Sequence, residues 1–321
     1  MVEHRTVEVD GVRLHIAEEG EGPLVVLLHG FPECWYSWRH QFAPLAAAGY
    51  HVVAPDQRGY ARSDRPEAVE AYTMPHLVGD VVGLVHALGE ERAVVVGHDW
   101  GAPVAWNTAL MRPDLVRGVV GLSVPPTPRG PVPPLKAMRE MFDGRFYWNY
   151  FETPGRADAE FARDPHATFR RCLYGLSGDN PANAEPAQPL IDPEQGFLAN
   201  YPDPGRLPDW LTEDDIDTFV AEYRDAGFTG GLNWYRCLDR SRELTAAFDG
   251  ARVTVPALYL TGDRDLVVHF PGNDQLIPAL PTLHPGLGAP HVLTGCGHWT
   301  QQERPAEVNA ALLEFLDGLP D

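Results

Sequence analysis

The stretch Val94-Val95-Val96-Gly97-His98-Asp99-Trp100-Gly101-Ala102-Pro103 constrains the fold of this 321-residue chain more than any other. A short β-branched apolar run ends at Gly97, and a helix-like segment carrying Trp106, Ala109 and Leu110 begins after Gly101, which puts Asp99 on a tight strand-to-helix turn. Small flanking residues are what such a turn requires, because the backbone doubles back too closely for side chains on both sides. The pattern is G-x-D-x-G, a nucleophile elbow with aspartate at its apex.

The segments around it alternate between strand and helix patterns. Val7, Val9, Val12, Leu14 and Ile16 alternate with polar residues about the turn Asp10-Gly11 and predict an edge hairpin. The unbroken apolar run Leu24–Leu28 suits a strand covered on both faces of a largely parallel sheet. Helical signals follow around Trp38–Ala47, then a strand at His51–Ala54, a helix through Leu77, Val81, Leu84, Val85 and Leu88, and a strand at Val116–Leu122 after the elbow. This alternation indicates an α/β sheet with helices on both faces.

Six prolines between Pro125 and Pro134 interrupt it. From Leu135 to about Phe248 the readable elements are helical, with Thr212 as an N-cap and a Pro-, Gly- and Asn-rich meander from Gly178 to Pro208. Strand signals resume at Val253–Leu260 and Ala289–Leu293, and Val308, Ala311, Leu312 and Phe315 mark a closing helix. The expected organisation is an α/β core over residues 1–124 and 249–321, with an inserted helical cap over 125–248.

Charge and cysteines narrow the partners. Forty-five acidic against 25 basic residues give a net charge of −20, which repels nucleic acid and anionic membranes. No apolar run approaches the ~20 residues of a membrane helix, and the N-terminus does not read as a leader, so the expected setting is the cytoplasm. Cys34, Cys172, Cys237 and Cys296 are scattered, without a C-x-x-C or H-E-x-x-H pattern, and read as reduced structural thiols; no metal or cofactor site is expected. Oligomeric state is open, a homo-oligomer included.

In open α/β sheets, sites form at the carboxyl ends of strands, and three other strand ends carry suggestive residues: His29-Gly30-Phe31, Asp263-Arg264-Asp265 and His298. Nucleophile, acid, histidine is the chain order of the α/β-hydrolase triad, with Asp99, Asp265 and His298 in the three roles. Each residue alone reads more readily as a turn or packing residue; their conjunction in order weakens that reading. A carboxylate attacking an sp³ carbon leaves an alkyl ester, which His298, oriented by Asp265, cleaves by activating water. Backbone N–H groups of Phe31 and Trp100 stand where this fold supplies an oxyanion hole.

The leaving group decides the substrate class. A halide needs only N–H donors, whereas an alkoxide needs an acid, and the helical insertion offers phenols in Arg145–Gly155 and Gly230–Arg236. From composition alone, packing is the favoured reading of any one of those tyrosines. Trp35, Phe142, Trp148 and Trp234 suggest an aromatic-lined apolar pocket, although packing explains them equally well.

At these residues the chain resembles the soluble epoxide hydrolases of the α/β-hydrolase superfamily over nearly its whole length. His29-Gly30-Phe31-Pro32-Glu33 is similar to the H-G-x-P oxyanion loop, Gly97–Gly101 to the nucleophile motif, and Asp56–Tyr60 to a structural core segment. The resemblance implies Tyr147 and Tyr235 as the epoxide-activating tyrosines, Asp265 rather than Asp263 as the relay acid, His298 as the base, and a cis Phe31-Pro32 bond. Glu152 and Ala61 depart from the usual Gln and Gly, the former with a charge that bears on how Tyr147 is held. The implied activity is cofactor-independent conversion of a small-molecule epoxide and water to a vicinal diol. A haloalkane dehalogenase with the same aspartate nucleophile is the nearest alternative, but Phe31 stands where a halide-binding Asn would be expected. A receptor that has lost turnover is expected to lack part of this apparatus, and an esterase to carry another nucleophile.

Overall fold

The computed structural model describes residues 1–186 and 188–320. Eight strands, β1 (Glu3–Val9), β2 (Val12–Glu19), β3 (Leu24–Leu28), β4 (His51–Pro55), β5 (Ala93–His98), β6 (Val116–Leu122), β7 (Ala257–Gly262) and β8 (His291–Leu293), form one sheet in the order β1-β2-β4-β3-β5-β6-β7-β8. The hairpin and its pairing to β4 are antiparallel; every later pairing is parallel. β3 lies between β4 and β5, in register Val26 with Val95, which is why its run is apolar at every position. Alternate side chains divide between two cores: Leu24, Val26, Leu28 and Val95 face one, while Val25, Leu27, Val94 and Val96 face the other.

Between the strands run α1 (Phe42–Ala47), α2 (Met74–Ala87) and α3 (Gly101–Met111). After β6 come seven helices: α4 (Pro134–Phe142), α5 (Tyr147–Glu152), α6 (Arg156–Arg163), α7 (Pro165–Gly175), α8 (Glu213–Tyr223), α9 (Thr229–Arg236) and α10 (Leu238–Leu244). This is an inserted helical cap on a mostly parallel α/β core. Its apolar side chains, Phe151, Phe169 and Trp234 among them, belong to the same buried cluster as Val26 and Val95, so cap and sheet share one core. Thr212 caps α8 as its sequence implies, its hydroxyl accepting from Asp215 N while the Asp215 carboxylate accepts from Thr212 N. The closing segment adds α11 (Asn273–Leu283), α12 (Thr300–Glu303) and α13 (Pro305–Asp317). Among the described residues no helix is long and apolar enough to cross a membrane.

Several elements depart from the sequence expectation. The helical signal at Trp38 resolves into a 3₁₀ turn, Trp35–Trp38, and α1 starts only at Phe42. Pro44 in the first turn of α1 accounts for this, since further N-terminal extension would need an N–H that proline lacks. For the same reason β7 begins at Ala257, after Pro256, rather than at Val253. The strand expected at Ala289–Leu293 is reduced to His291–Leu293. α11 gave no clear signal because Pro278 and Pro281 lie inside it.

Candidate active site

Asp99 sits at the turn between β5 and α3 with φ +50°, a left-handed conformation that a side-chain-bearing residue seldom adopts. The turn depends on its neighbours lacking side chains. A Cβ on Gly97 would lie 2.0 Å from Gly101 O, and one on Gly101 would lie 2.0 Å from Leu28 O. Gly30 is equally confined, since a Cβ there would lie 2.2 Å from Asp99 Oδ1. This closeness lets Phe31 N donate to Asp99 Oδ1 at 2.7 Å, beside a cis Phe31-Pro32 peptide. Trp100, the other expected donor, opens α3 next to Asp99, but among the described residues its N–H makes no hydrogen bond to the carboxylate.

His298 bridges the two aspartates. Its Nε2 is 3.4 Å from Asp99 Oδ2, and its Nδ1 is 3.0 Å from Asp265 Oδ1. Asp263 lies outside this group; its Oδ1 accepts from Gly295 N at 2.7 Å and holds the turn before the histidine. Burial pushes His298 down, but Asp265 and the hydrogen bond to Asp99 outweigh it and hold the imidazole well above its usual value. Burial likewise pushes Asp99 up, and the hydrogen bond and charge of His298 reverse this, leaving the carboxyl below its ordinary range.

Three buried residues that the sequence did not single out complete the frame. Ser123, at the end of β6 with φ +72°, puts its Oγ 3.0 Å from His298 Nδ1, beside Asp265. Glu33, wholly buried, accepts from His98 Nδ1 and Gln302 Nε2, both at 2.8 Å. His98 Nε2 in turn donates to His298 O at 2.7 Å, so elbow, oxyanion loop and histidine loop are tied together. Glu303 accepts backbone N–H groups on both sides of His298. Their only sequence signal was being polar residues next to motif residues.

The tyrosines arrive from the cap. Tyr147 opens α5, with its N–H donating to Pro189 O at 3.2 Å. Tyr235 lies on α9, which is fastened by Trp234 Nε1 donating to Arg58 O at 3.1 Å and by the Arg236–Asp158 ion pair at 2.5 Å. The two rings stand 5.9 Å apart, and Tyr235 packs edge-on to Trp100 at 5.1 Å and Phe31 at 5.7 Å. Burial raises both phenols well above the ordinary tyrosine value, and the negative charge of Asp99 adds to the effect.

Asp99, His298, Tyr147 and Tyr235 line one cavity. Its remaining walls are apolar or aromatic, chiefly Phe31, Phe151, Phe197, Tyr201, Leu266 and Val267. The aromatic lining suggested from the sequence is therefore corrected: Trp35, Phe142, Trp148 and Trp234 are absent from these walls. Trp35 donates to Glu222 at the cap–core boundary, Phe142 and Trp148 pack on Phe146, and Trp234 is buried behind the site. Glu152 pairs with Arg139 on the cap surface, so its charge is matched there. No group of His, Cys, Asp and Glu that could hold a metal occurs among the described residues.

Comparison with known proteins agrees with this architecture. The family described as alpha/beta hydrolase fold matches residues 23–305. Epoxide hydrolase A of Mycobacterium tuberculosis is 49% identical, covering 98% of this chain and 97% of the relative. Epoxide hydrolase 3 of Siraitia grosvenorii is 43% identical, covering 98% of each. Among solved structures, epoxide hydrolase A from Mycobacterium thermoresistibile superposes with a TM-score of 0.92 at 49% identity, covering 100% of this chain and 99% of its own. An epoxide hydrolase from an endophytic Streptomyces gives 0.94 at 47% identity, covering 99% and 96%.

Proposed function

The chain belongs to the epoxide hydrolases of the α/β-hydrolase fold, and from that premise we propose that it converts a small-molecule epoxide and water to a vicinal diol through a covalent ester on Asp99. Residues 125–248 act as the cap that holds the acids over a core formed by 1–124 and 249–321. The observation that carries the reading is the convergence of Asp99, His298, Tyr147 and Tyr235 on one largely apolar cavity.

In the first step an Asp99 oxygen attacks an epoxide carbon, the carbon–oxygen bond breaks, and Tyr147 or Tyr235 gives the departing alkoxide its proton. The charge states favour this. Asp99 stays ionised, because His298 holds its carboxyl low against burial, and the phenols stay protonated, because burial holds them high.

Ester formation then removes the negative charge of Asp99. His298 loses one of the two carboxylates that raise it, so its proton becomes easier to release and the imidazole becomes available as a base. It takes a proton from water, and the hydroxide attacks the ester carbonyl of Asp99. The N–H groups of Phe31 and Trp100 hold the oxyanion, whose collapse expels the diol. The proton that His298 releases restores the tyrosine, the proton taken from water returns the imidazole to its starting state, and the departing alkoxide takes the proton of the newly formed Asp99 carboxyl, so the balance is epoxide plus water to diol. All four cysteines are free and buried, which suits action in the reducing cytoplasm.

Replacing both tyrosines tests the assignment. Tyr147→Phe with Tyr235→Phe is expected to lower ring opening by roughly 10²- to 10⁴-fold with the thermal transition little changed. Full activity in the double variant would refute the acid roles.

A further inference from the structure

Glu303 is a buried carboxylate, 5% exposed, to which the chemistry above gives no part. It joins two segments distant in sequence. On the core side it accepts from Gly297 N at 3.0 Å and Trp299 N at 3.1 Å, the residues flanking His298. On the cap side it accepts from Gly178 N at 2.8 Å and Ser177 Oγ at 3.2 Å, just beyond α7. The same two segments are stitched further by His298 N donating to Leu176 O at 2.9 Å and Trp299 Nε1 donating to Leu173 O at 2.8 Å. Arg264, next to Asp265, adds a bond from Nη1 to Gly178 O at 2.7 Å. The packing leaves no slack: a Cβ on Gly178 would lie 2.3 Å from Gly295 O, and one on Gly297 would lie 2.2 Å from Gly178 N.

Glu303 accepts from all four donors, with Gly178 N, Ser177 Oγ and Gly297 N converging on Oε2 and Trp299 N on Oε1, so a single oxygen joins the cap segment to the histidine loop. An ordinary loop anchor needs donors from its own loop only. Here half come from the cap segment that also supplies Leu176 to the cavity wall. The backbone that carries the proposed base is thereby fixed to the cap rather than to the sheet alone.

From this arrangement we infer that Glu303 is a positioning residue for the second half of the reaction, latching the cap to the His298 loop so that the imidazole is aimed at the water that cleaves the Asp99 ester. The inference rests on the covalent reading above. It separates the two steps. Ring opening uses Asp99, held by the elbow, and the tyrosines, held by α5 and α9, none of which Glu303 touches. Ester cleavage uses His298, whose peptide neighbours Glu303 holds on either side.

Glu303→Gln keeps the side chain's size but replaces one accepting oxygen with a donor, which meets the Trp299 N–H in one amide orientation and those of Gly178 and Gly297 in the other. Mixing this variant with an aryl epoxide and quenching at successive times gives the ester fraction by intact mass, and single turnover gives the rate of ring opening. Ester cleavage is expected to slow by roughly 10- to 100-fold, the range that misplacement of a reacting group produces. Ring opening is expected to change less than about threefold, so the ester accumulates. Unchanged rates for both steps, or an equal fall in both, would overturn the latch and leave Glu303 a stability residue. If Glu303→Gln does not fold, Gly178→Ala opens the same latch from the cap side and should show the same split. His298→Gln measured in parallel keeps the two claims apart. No ester in that variant would count against the covalent reading, whereas an ester in His298→Gln without accumulation in Glu303→Gln would count against the latch alone.

Discussion

At the core end of the cavity, Asp99 is fixed by backbone pressed against backbone at Gly97 and Gly101, where an added Cβ would lie 2.0 Å from a carbonyl oxygen, and by Gly30, where it would lie 2.2 Å from the Asp99 side chain itself. At the cap end, Tyr147 and Tyr235 are held by ring contacts, Tyr147 to Phe151 at 5.4 Å and Tyr235 to Phe151 at 5.0 Å. The first kind of support tolerates almost no change, because peptide groups cannot move aside. The second can repack, since edge-on aromatic contacts accept small rotations at modest cost. One end thus fixes the chemistry, while the other is able to change which epoxide fits.

That contrast breaks most visibly at Gly101. Gly101→Ala drives a Cβ to within 2.0 Å of Leu28 O and 2.8 Å of His29 O, and is expected to cost more than about 4 kcal/mol, measured as loss of the cooperative denaturation midpoint. Phe197→Leu at the cap wall should cost only about 1 to 2 kcal/mol and change KM among epoxides of different size. If the cap variant proved the more destabilising, the contrast would fail.

A smaller effect lies in pH. Asp99 is held below the ordinary carboxylate range and the tyrosines above theirs, so single-turnover ring opening should stay flat from about pH 5 to about pH 9. Ester cleavage should instead fall toward acid, because Asp265 still raises His298 after the ester forms and a protonated imidazole cannot accept a proton from water. A falling acid limb in ring opening would contradict the charge states assigned here.

How much of this was visible in the chain differs between the two ends. The elbow was legible because strand, turn and helix each leave a local pattern and its glycines flank the apex within a few residues, although the contact that requires Gly101 comes from Leu28 on a neighbouring strand. His298 and Asp265 were readable as strand-end residues in order, but choosing Asp265 over Asp263 came from the resemblance; both carboxylates sit in the same turn, and only three-dimensional packing directs one to His298 and the other to Gly295. Glu33, Ser123 and Glu303 showed only as polar residues in or near motif segments, since the partners that give them a role are separated by 65 to 175 residues. The cap aromatics failed for a related reason. Helical spacing says that a face is apolar without saying what it meets, so Trp234 and Tyr235 look alike in sequence although one backs onto Arg58 and the other lines the cavity.

The most direct test of the covalent route is the intact mass of a His298→Gln variant after mixing with an aryl epoxide, followed by peptide mapping. The variant retains Asp99 and both tyrosines but lacks the base. A mass gain equal to the whole epoxide, located on Asp99 and persisting after excess substrate is removed, is the predicted result. Steady release of diol with no adduct on Asp99 would mean that water attacks the epoxide directly, and would contradict the account.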